Sequence, residues 1–157
     1  TLVPLYIVAQ LLGAFLGAVC VWLHYRDHFD ATDDMAIKLG VFSTAPAIRN
    51  MGSNVFSEVF GTFILVLAVL HLAEPEVGLG SISALPVALL VFGIGMSLGG
   101  TTGYAINPAR DLGPRIAHML LPIKGKGRSD WSYAWVPVVA PLAGAIIAAM
   151  VYRWLPF

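Results

Sequence analysis

Charge is scarce in this sequence. Only 11% of its 157 residues are Asp, Glu, Lys or Arg, against roughly 25% in a soluble domain. Hydrophobic residues make up 58%, and the mean hydropathy is +0.81. That leaves too little polar surface to clothe a soluble globule, so the composition points to a membrane protein. Nine basic residues balance nine acidic ones. With no basic excess to neutralise phosphates, nucleic acid is not an expected partner. The lone cysteine, Cys20, excludes an intrachain disulfide and a cysteine-based zinc site, and it reads as a small apolar residue in a span. No HExxH, GxSxG or carboxylate–histidine pattern falls in an apolar run. An enzyme is therefore not expected, and neither a metal nor a cofactor. The chain begins at Thr1 with an apolar run at once, without a charged n-region or a small-residue cleavage site, so no signal peptide is expected.

Long apolar runs are what it does have. A bilayer core of about 30 Å takes about 20 apolar residues in a helix, and four stretches qualify as spans: residues 2–23, 55–73, 82–98 and 133–152. Trp22, Tyr25, Trp131, Tyr133, Trp135, Tyr152 and Trp154 stand near their ends, as in an interfacial belt. A fifth helical piece, about 108–120, is roughly 20 Å long at 1.5 Å per residue, too short to cross. It follows the glycines of "GGTTGYAIN", and irregular backbone at membrane depth is tolerated only where it is buried in protein or lines a wet cavity. The expected architecture is all-α: one membrane domain over 1–157, a polytopic bundle of four spans and one re-entrant half-helix. Gly13 and Gly17, Gly95 and Gly99, and Ala140 and Gly144 recur at the spacing that lets helices approach closely. Residues 24–54 and 122–130 read as polar loops. Calcium binding by Asp30, Asp33 and Asp34 competes there with a solvated loop, and the solvated loop is preferred. Loop charge does not settle orientation: residues 74–81 carry two glutamates, while the "KGKGR" loop carries three basic residues.

The run from Val77 to Ala109 is free of charge and ends in "GYAINPARDLGP". Asparagine is a favoured N-cap and proline a favoured first helical residue, so Asn107-Pro108-Ala109 starts a helix. Once its oxygen caps the helix, the Asn107 amide is oriented with its NH₂ available as a donor. The helix N-terminus adds about half a positive charge, and Arg110 adds a full one. A narrow aqueous passage meeting this tip finds donors for a hydroxyl or water oxygen and a barrier to cations and protons.

The segment resembles the second loop motif of the major intrinsic protein family, the aquaporins and glycerol facilitators. The likeness extends over most of the chain. "YIVAQLLGAFLGA" resembles the third span of that family, "FSTAPAI" an outer loop of the glycerol-facilitator branch, "SEVFGTFILVL" the fourth span and "VPVVAPLAGAIIAAMVYRWL" the sixth. The resemblance implies a right-handed aquaporin-like bundle, here incomplete. Asp111 after Asn-Pro-Ala-Arg, Arg115 four positions on, and Pro137 with Val138 match the glycerol-passing branch. By resemblance the narrowest point is built from Gly95, Tyr104 and Arg110 plus a residue of the family's second span, with Tyr104 standing where phenylalanine is usual. The carbonyls of Gly103, Tyr104 and Ala105 would take the hydroxyl edge of a polyol.

The implied function is a passive channel for glycerol, other small uncharged polyols and water, excluding ions and protons. A water-selective channel is the alternative, and a secondary transporter with a broken-helix site ranks lower. Glu58 is an ionisable group inside a span and hence a functional suspect. The resemblance makes it a brace for the re-entrant loop, in competition with an interfacial position; Gln10 reads either as a similar brace or as a polar helix contact. His71 reads as interfacial, and His24 and His118 have no assigned role. Asp111 reads as a first-turn acid that complements the helix dipole and pairs with a neighbour. The family has two half-helices, whereas this sequence contains one Asn-Pro-Ala. The expectation is a C-terminal portion whose missing N-terminal half completes the pore, in the lipid bilayer of the plasma membrane and as the homotetramer usual in the family.

Overall fold

The computed structural model describes residues 2–72 and 80–155. Among them the secondary structure is helical: α1 Val3–His24, α2 Arg26–Ala31, α3 Met35–Gly40, α4 Met51–Leu72, a 3₁₀ turn Gly80–Ile82, α5 Leu85–Thr102, α6 Pro108–Leu120 and α7 Val136–Trp154. Helices α1, α4, α5 and α7 are long and apolar enough to cross a membrane. Most of the 74–81 loop and Ala73, the expected last residue of the second span, lie outside the described residues.

Three span boundaries differ from those read off hydropathy, each for a local reason. Helix α4 starts at Met51 rather than 55, because its polar first turn is capped reciprocally. The Ser53 N–H donates to Asn50 Oδ1 (3.3 Å), and the Asn50 N–H donates to Asn54 Oδ1 (3.1 Å). Helix α5 starts at Leu85 with Pro86 in its first turn and continues through Gly99 and Gly100 to Thr102. The glycine that ends it is Gly103, whose positive φ of 79° is the left-handed cap glycine accepts at low cost; its N–H donates to Gly99 O. The irregular backbone is thus shorter than expected, residues 103–106. Helix α7 starts at Val136 with Pro137 in its first turn, while Tyr133 to Trp135 form turns before it.

Helix α4 packs on both α7 and α5, α1 packs on α6, and α6 in turn touches α7. Ala140, Gly144 and Ala148 form the buried small-residue strip of α7. A methyl group on Gly144 would overlap the Val59 carbonyl of α4, so this crossing requires glycine. Gly113 does the same for α6 on α1, where a methyl would lie 2.9 Å from both Ala14 Cβ and Leu11 O. The other two pairs expected at helix contacts are placed differently. Gly13 and Gly17 face open space, and Gly95 and Gly99 face the Tyr104 ring.

The 24–54 segment is not a solvated loop throughout. Helices α2 and α3 lie within it, and Phe29 and Phe42 pack with Ala18, Ala117 and Ile123 into one core cluster. Asp34 spends its carboxylate on capping α3, accepting from Ala36 N (2.7 Å) and Ile37 N (3.1 Å). A second cluster, Tyr133, Val136 and Ala140, closes on Met51, Val55 and Val59 of α4. Many large apolar side chains point outward from α1, α5 and α7, among them Leu5, Leu89, Phe92, Met96 and Ile146, as helices in contact with hydrocarbon or with further helices require.

Candidate functional site

The chemistry gathers where α5 ends and α6 begins. After the Gly103 cap, Tyr104 (φ 40°) and Ile106 (φ 43°) also adopt the left-handed region. Such strain in residues other than glycine persists only where the surroundings over-determine it. Here a carboxylate does so: Glu58 of α4, fully buried, accepts the Ala105 N–H at Oε1 (2.9 Å) and the Ile106 N–H at Oε2 (2.8 Å). Two backbone donors that a helix or strand would have satisfied are paired with one buried anion. Among the described residues no donor reaches the carbonyl oxygens of Gly103, Tyr104 and Ala105. Gly103 and Tyr104 are partly exposed and present open acceptors, whereas Ala105 is only 1% exposed, so the acceptor expected there is closed off by the packing around the turn.

Asn107 then turns extended (φ −155°) and caps α6, its Oδ1 accepting the Ala109 N–H at 2.9 Å with Pro108 at the first helical position. The oxygen is committed, and the amide nitrogen is left as a donor. Asn107 and Arg110 are both exposed, and among the described residues the Arg110 guanidinium has no partner. Pro114, inside α6, has no N–H to give the Arg110 carbonyl. A cavity of about 390 Å³ flanks this tip, bordered by Gln10 and Leu11 of α1, Val138 of α7, and Asn107, Pro108 and Ala109. Gln10 therefore stands beside the tip, while Glu58 bonds to the 105–106 amides. Pro137 is buried at the start of α7, and Gly95 lies under the ring of Tyr104.

Behind the tip, α6 is held by charge. Asp111 and Arg115, both fully buried, pair through Oδ1 and Nε at 2.7 Å and through Oδ2 and Nη2 at 3.0 Å. Asp111 Oδ2 also accepts the Thr44 N–H (2.8 Å) and hydroxyl (2.7 Å). Arg115 Nη2 donates to Thr44 O (2.9 Å), and Nη1 to Ser129 O (2.8 Å) and Asp130 O (3.1 Å). The α3–α4 linker and the α6–α7 linker are thereby both bound to the helix that carries the tip.

Thr44, Ser129 and Lys126 belong to this scaffold and were not legible as such. Lys126 Nζ donates at 2.7 Å to the carbonyls of His118, Met119 and Leu121, closing the C-terminal end of α6. A lysine shortly after a helix end is the signal that could have found it. Burial lowers its pKa. His118, given no role above, is fully buried; its Nδ1 meets Ser129 Oγ at 2.8 Å and its ring lies edge-on to Phe42. His71 is exposed at the end of α4 with its ring against Tyr152.

Four apolar spans, two of them packed on a short helix whose capped tip opens beside a cavity, define a polytopic membrane protein with a re-entrant half-helix. The model of the family described as "Major intrinsic protein" matches residues 1–152. The chain is 57% identical over 151 residues to the glycerol uptake facilitator protein of Bacillus subtilis (strain 168), covering 96% of this chain and 55% of that protein. It is 52% identical over 153 residues to the probable glycerol uptake facilitator protein of Thermotoga maritima, covering 98% and 65%. The X-ray structure of the aquaglyceroporin from Plasmodium falciparum superposes with a TM-score of 0.81 at 32% identity, covering 95% of this chain and 62% of that one. The chain belongs to the major intrinsic protein family, and it is an integral, multi-pass protein of the plasma membrane. It spans 55% and 65% of the lengths of the two facilitators.

Proposed function

We propose that the intact protein is a passive channel for glycerol, other small uncharged polyols and water, and that it excludes ions and protons. The observation that carries this reading is the polarity of the α5–α6 junction. Open carbonyl acceptors at Gly103 and Tyr104 lead to the Asn107 amide donor, and the Arg110 guanidinium, without a partner among the described residues, follows. A polyol hydroxyl both donates and accepts, so it can exchange its water partners for such a row without a deep binding minimum, as conduction requires. The Tyr104 ring offers a face for the carbon edge of the same molecule. A cation approaching the tip meets the positive end of α6 and Arg110 together. No covalent step is part of this reading.

The likeness to the glycerol uptake facilitators and to the aquaglyceroporin supports glycerol as the solute class. The reading extends to a further, N-terminal half of the pore wall, which would face the open side of Asn107 and Arg110, and to a homotetramer in the bilayer. Proteoliposomes carrying the intact protein, placed in an inward glycerol gradient and followed by stopped-flow light scattering, should re-swell well faster than empty liposomes. Rapid water shrinkage with glycerol entry no faster than in empty liposomes would overturn the polyol reading in favour of a water-selective channel.

A further inference from the structure

We propose that Gly99 is a positioning residue for solute selection: it seats the root of the Tyr104 ring and so sets how far that ring stands into the passage. The inference rests on the channel reading above. Gly95 and Gly99 lie one turn apart on the same face of α5, and the strip they leave is occupied by a side chain rather than by a helix. A methyl group on Gly99 would lie 2.7 Å from Tyr104 Cδ1 and 3.1 Å from Cε1; one on Gly95 would lie 3.0 Å from Cζ and 3.2 Å from the hydroxyl oxygen. One glycine bears the base of the ring and the other its tip.

The ring cannot escape an added methyl at Gly99 by a small backbone shift. The left-handed turns at Gly103 and Tyr104 fold the chain back over α5, and the next two amides are fixed by Glu58 at 2.9 and 2.8 Å. With the backbone held, the contact at Cδ1 is relieved by swinging the ring off the helix, for which the surroundings of Tyr104, 37% exposed, leave room. A ring so displaced narrows the room for a polyol more than the room for water. Gly99 touches no solute in this account; it acts through Tyr104. Gly100, the next residue on the same helix, meets nothing within 4 Å and supplies the control.

The test compares glycerol and water permeabilities of the intact protein and its Gly99→Ala, Gly100→Ala, Tyr104→Ala and Gly99→Ala/Tyr104→Ala variants in proteoliposomes. Gly99→Ala should lower the glycerol-to-water ratio about tenfold, the scale on which one methylene discriminates between solutes in a close-fitting site. Gly100→Ala should keep the parental ratio. The double variant should match Tyr104→Ala alone, because without the ring the methyl has nothing to displace. A parental ratio in Gly99→Ala overturns the inference, and so does an equal loss with and without the ring. Misfolding of Gly99→Ala in both backgrounds, read as aggregation in detergent, also overturns it by assigning the glycine to helix packing; misfolding rescued by Tyr104→Ala supports the seat. A parent that passes no glycerol sinks the channel reading instead, which keeps the two failures apart.

Discussion

Arg110 and Arg115 stand little more than one turn apart on α6, and the chain uses them in opposite ways. Every N–H direction that a guanidinium offers is spent at Arg115, on Asp111, Thr44, Ser129 and Asp130. At Arg110, exposed at the tip, none is spent among the described residues. The buried edge of the half-helix is a fastening and the exposed edge an open set of donors. The difference teaches how a short helix can hold an exposed charge in an apolar setting: a second, fully paired charge close by ties the helix to two linkers, so the first is not needed to fasten it.

The sharpest break of that comparison is to exchange the fates of the two arginines. Arg115→Met leaves the Asp111 carboxylate buried without its counter-charge. Removing one partner of a buried pair costs about 3–5 kcal/mol, so the variant should melt far below the parent in detergent or fail to fold. Arg110→Val removes a charge with no partner among the described residues, and its stability should lie within about 0.5 kcal/mol of the parent. Its effect belongs to the barrier: proteoliposomes carrying Arg110→Val should dissipate a pH gradient that the parent maintains. Equal melting losses in the two variants would show that the edges of α6 do not divide the labour.

Glu58 allows a subtler test. Glu58→Gln keeps the volume but can accept through one oxygen only, and it turns an NH₂ toward the other backbone N–H. One buried donor is then unpaired, at about 1–3 kcal/mol, less than the loss at Arg115. Hydrogen exchange should localise the damage, with the Ala105 or Ile106 amide exchanging faster than the amides inside α4. Unchanged protection at both positions would show that the strained turn is held by something other than this carboxylate.

How much of this was legible in the sequence depended on the range of the interaction that decides each element. Hydropathy marked the four spans, and the Asn107-Pro108 cap placed α6 at 108–120 without error, because a cap is settled by adjacent residues. The start of α4 was missed by four residues because Gly52, Ser53 and Asn54 look like loop, and the bonds between Asn50 and both Ser53 and Asn54 override that composition. The glycines at 95 and 99 showed their spacing but not their partner, since only the left-handed turn at 103–104 turns a ring back onto them. Thr44 was out of reach for a different reason: its bonds to Asp111 and Arg115 cross about seventy positions of chain, and no local pattern announces such a contact.

The weakest expected effect lies at the rim, in the same turn that receives Arg115. Asp130 pairs with Arg49, whose side chain is 46% exposed, and accepts the Ser132 hydroxyl at 2.8 Å. Burial alone would raise the Asp130 pKa, but the bonds from Arg49 and Ser132 outweigh it and hold the carboxyl below its ordinary 3.8. A group depressed on folding contributes stability that is complete above its unfolded pKa and fades as pH falls through the folded value. Asp130→Asn should therefore cost about 0.2–1 kcal/mol near neutral pH, the range of exposed pairs, and the gap between variant and parent should close in acid. Asparagine suits the test because residue 130 sits at φ 47°, a conformation that Asn tolerates as Asp does, so the charge changes and the turn does not. Arg49→Ala would be the poorer probe, since it also strips the guanidinium from the face of Tyr133, 5.5 Å away. A gap that stays constant down through the acid range would mean that Asp130 holds this turn by hydrogen-bond geometry and not by charge. The rim would then resemble the Asn107 cap more than the Asp111–Arg115 pair.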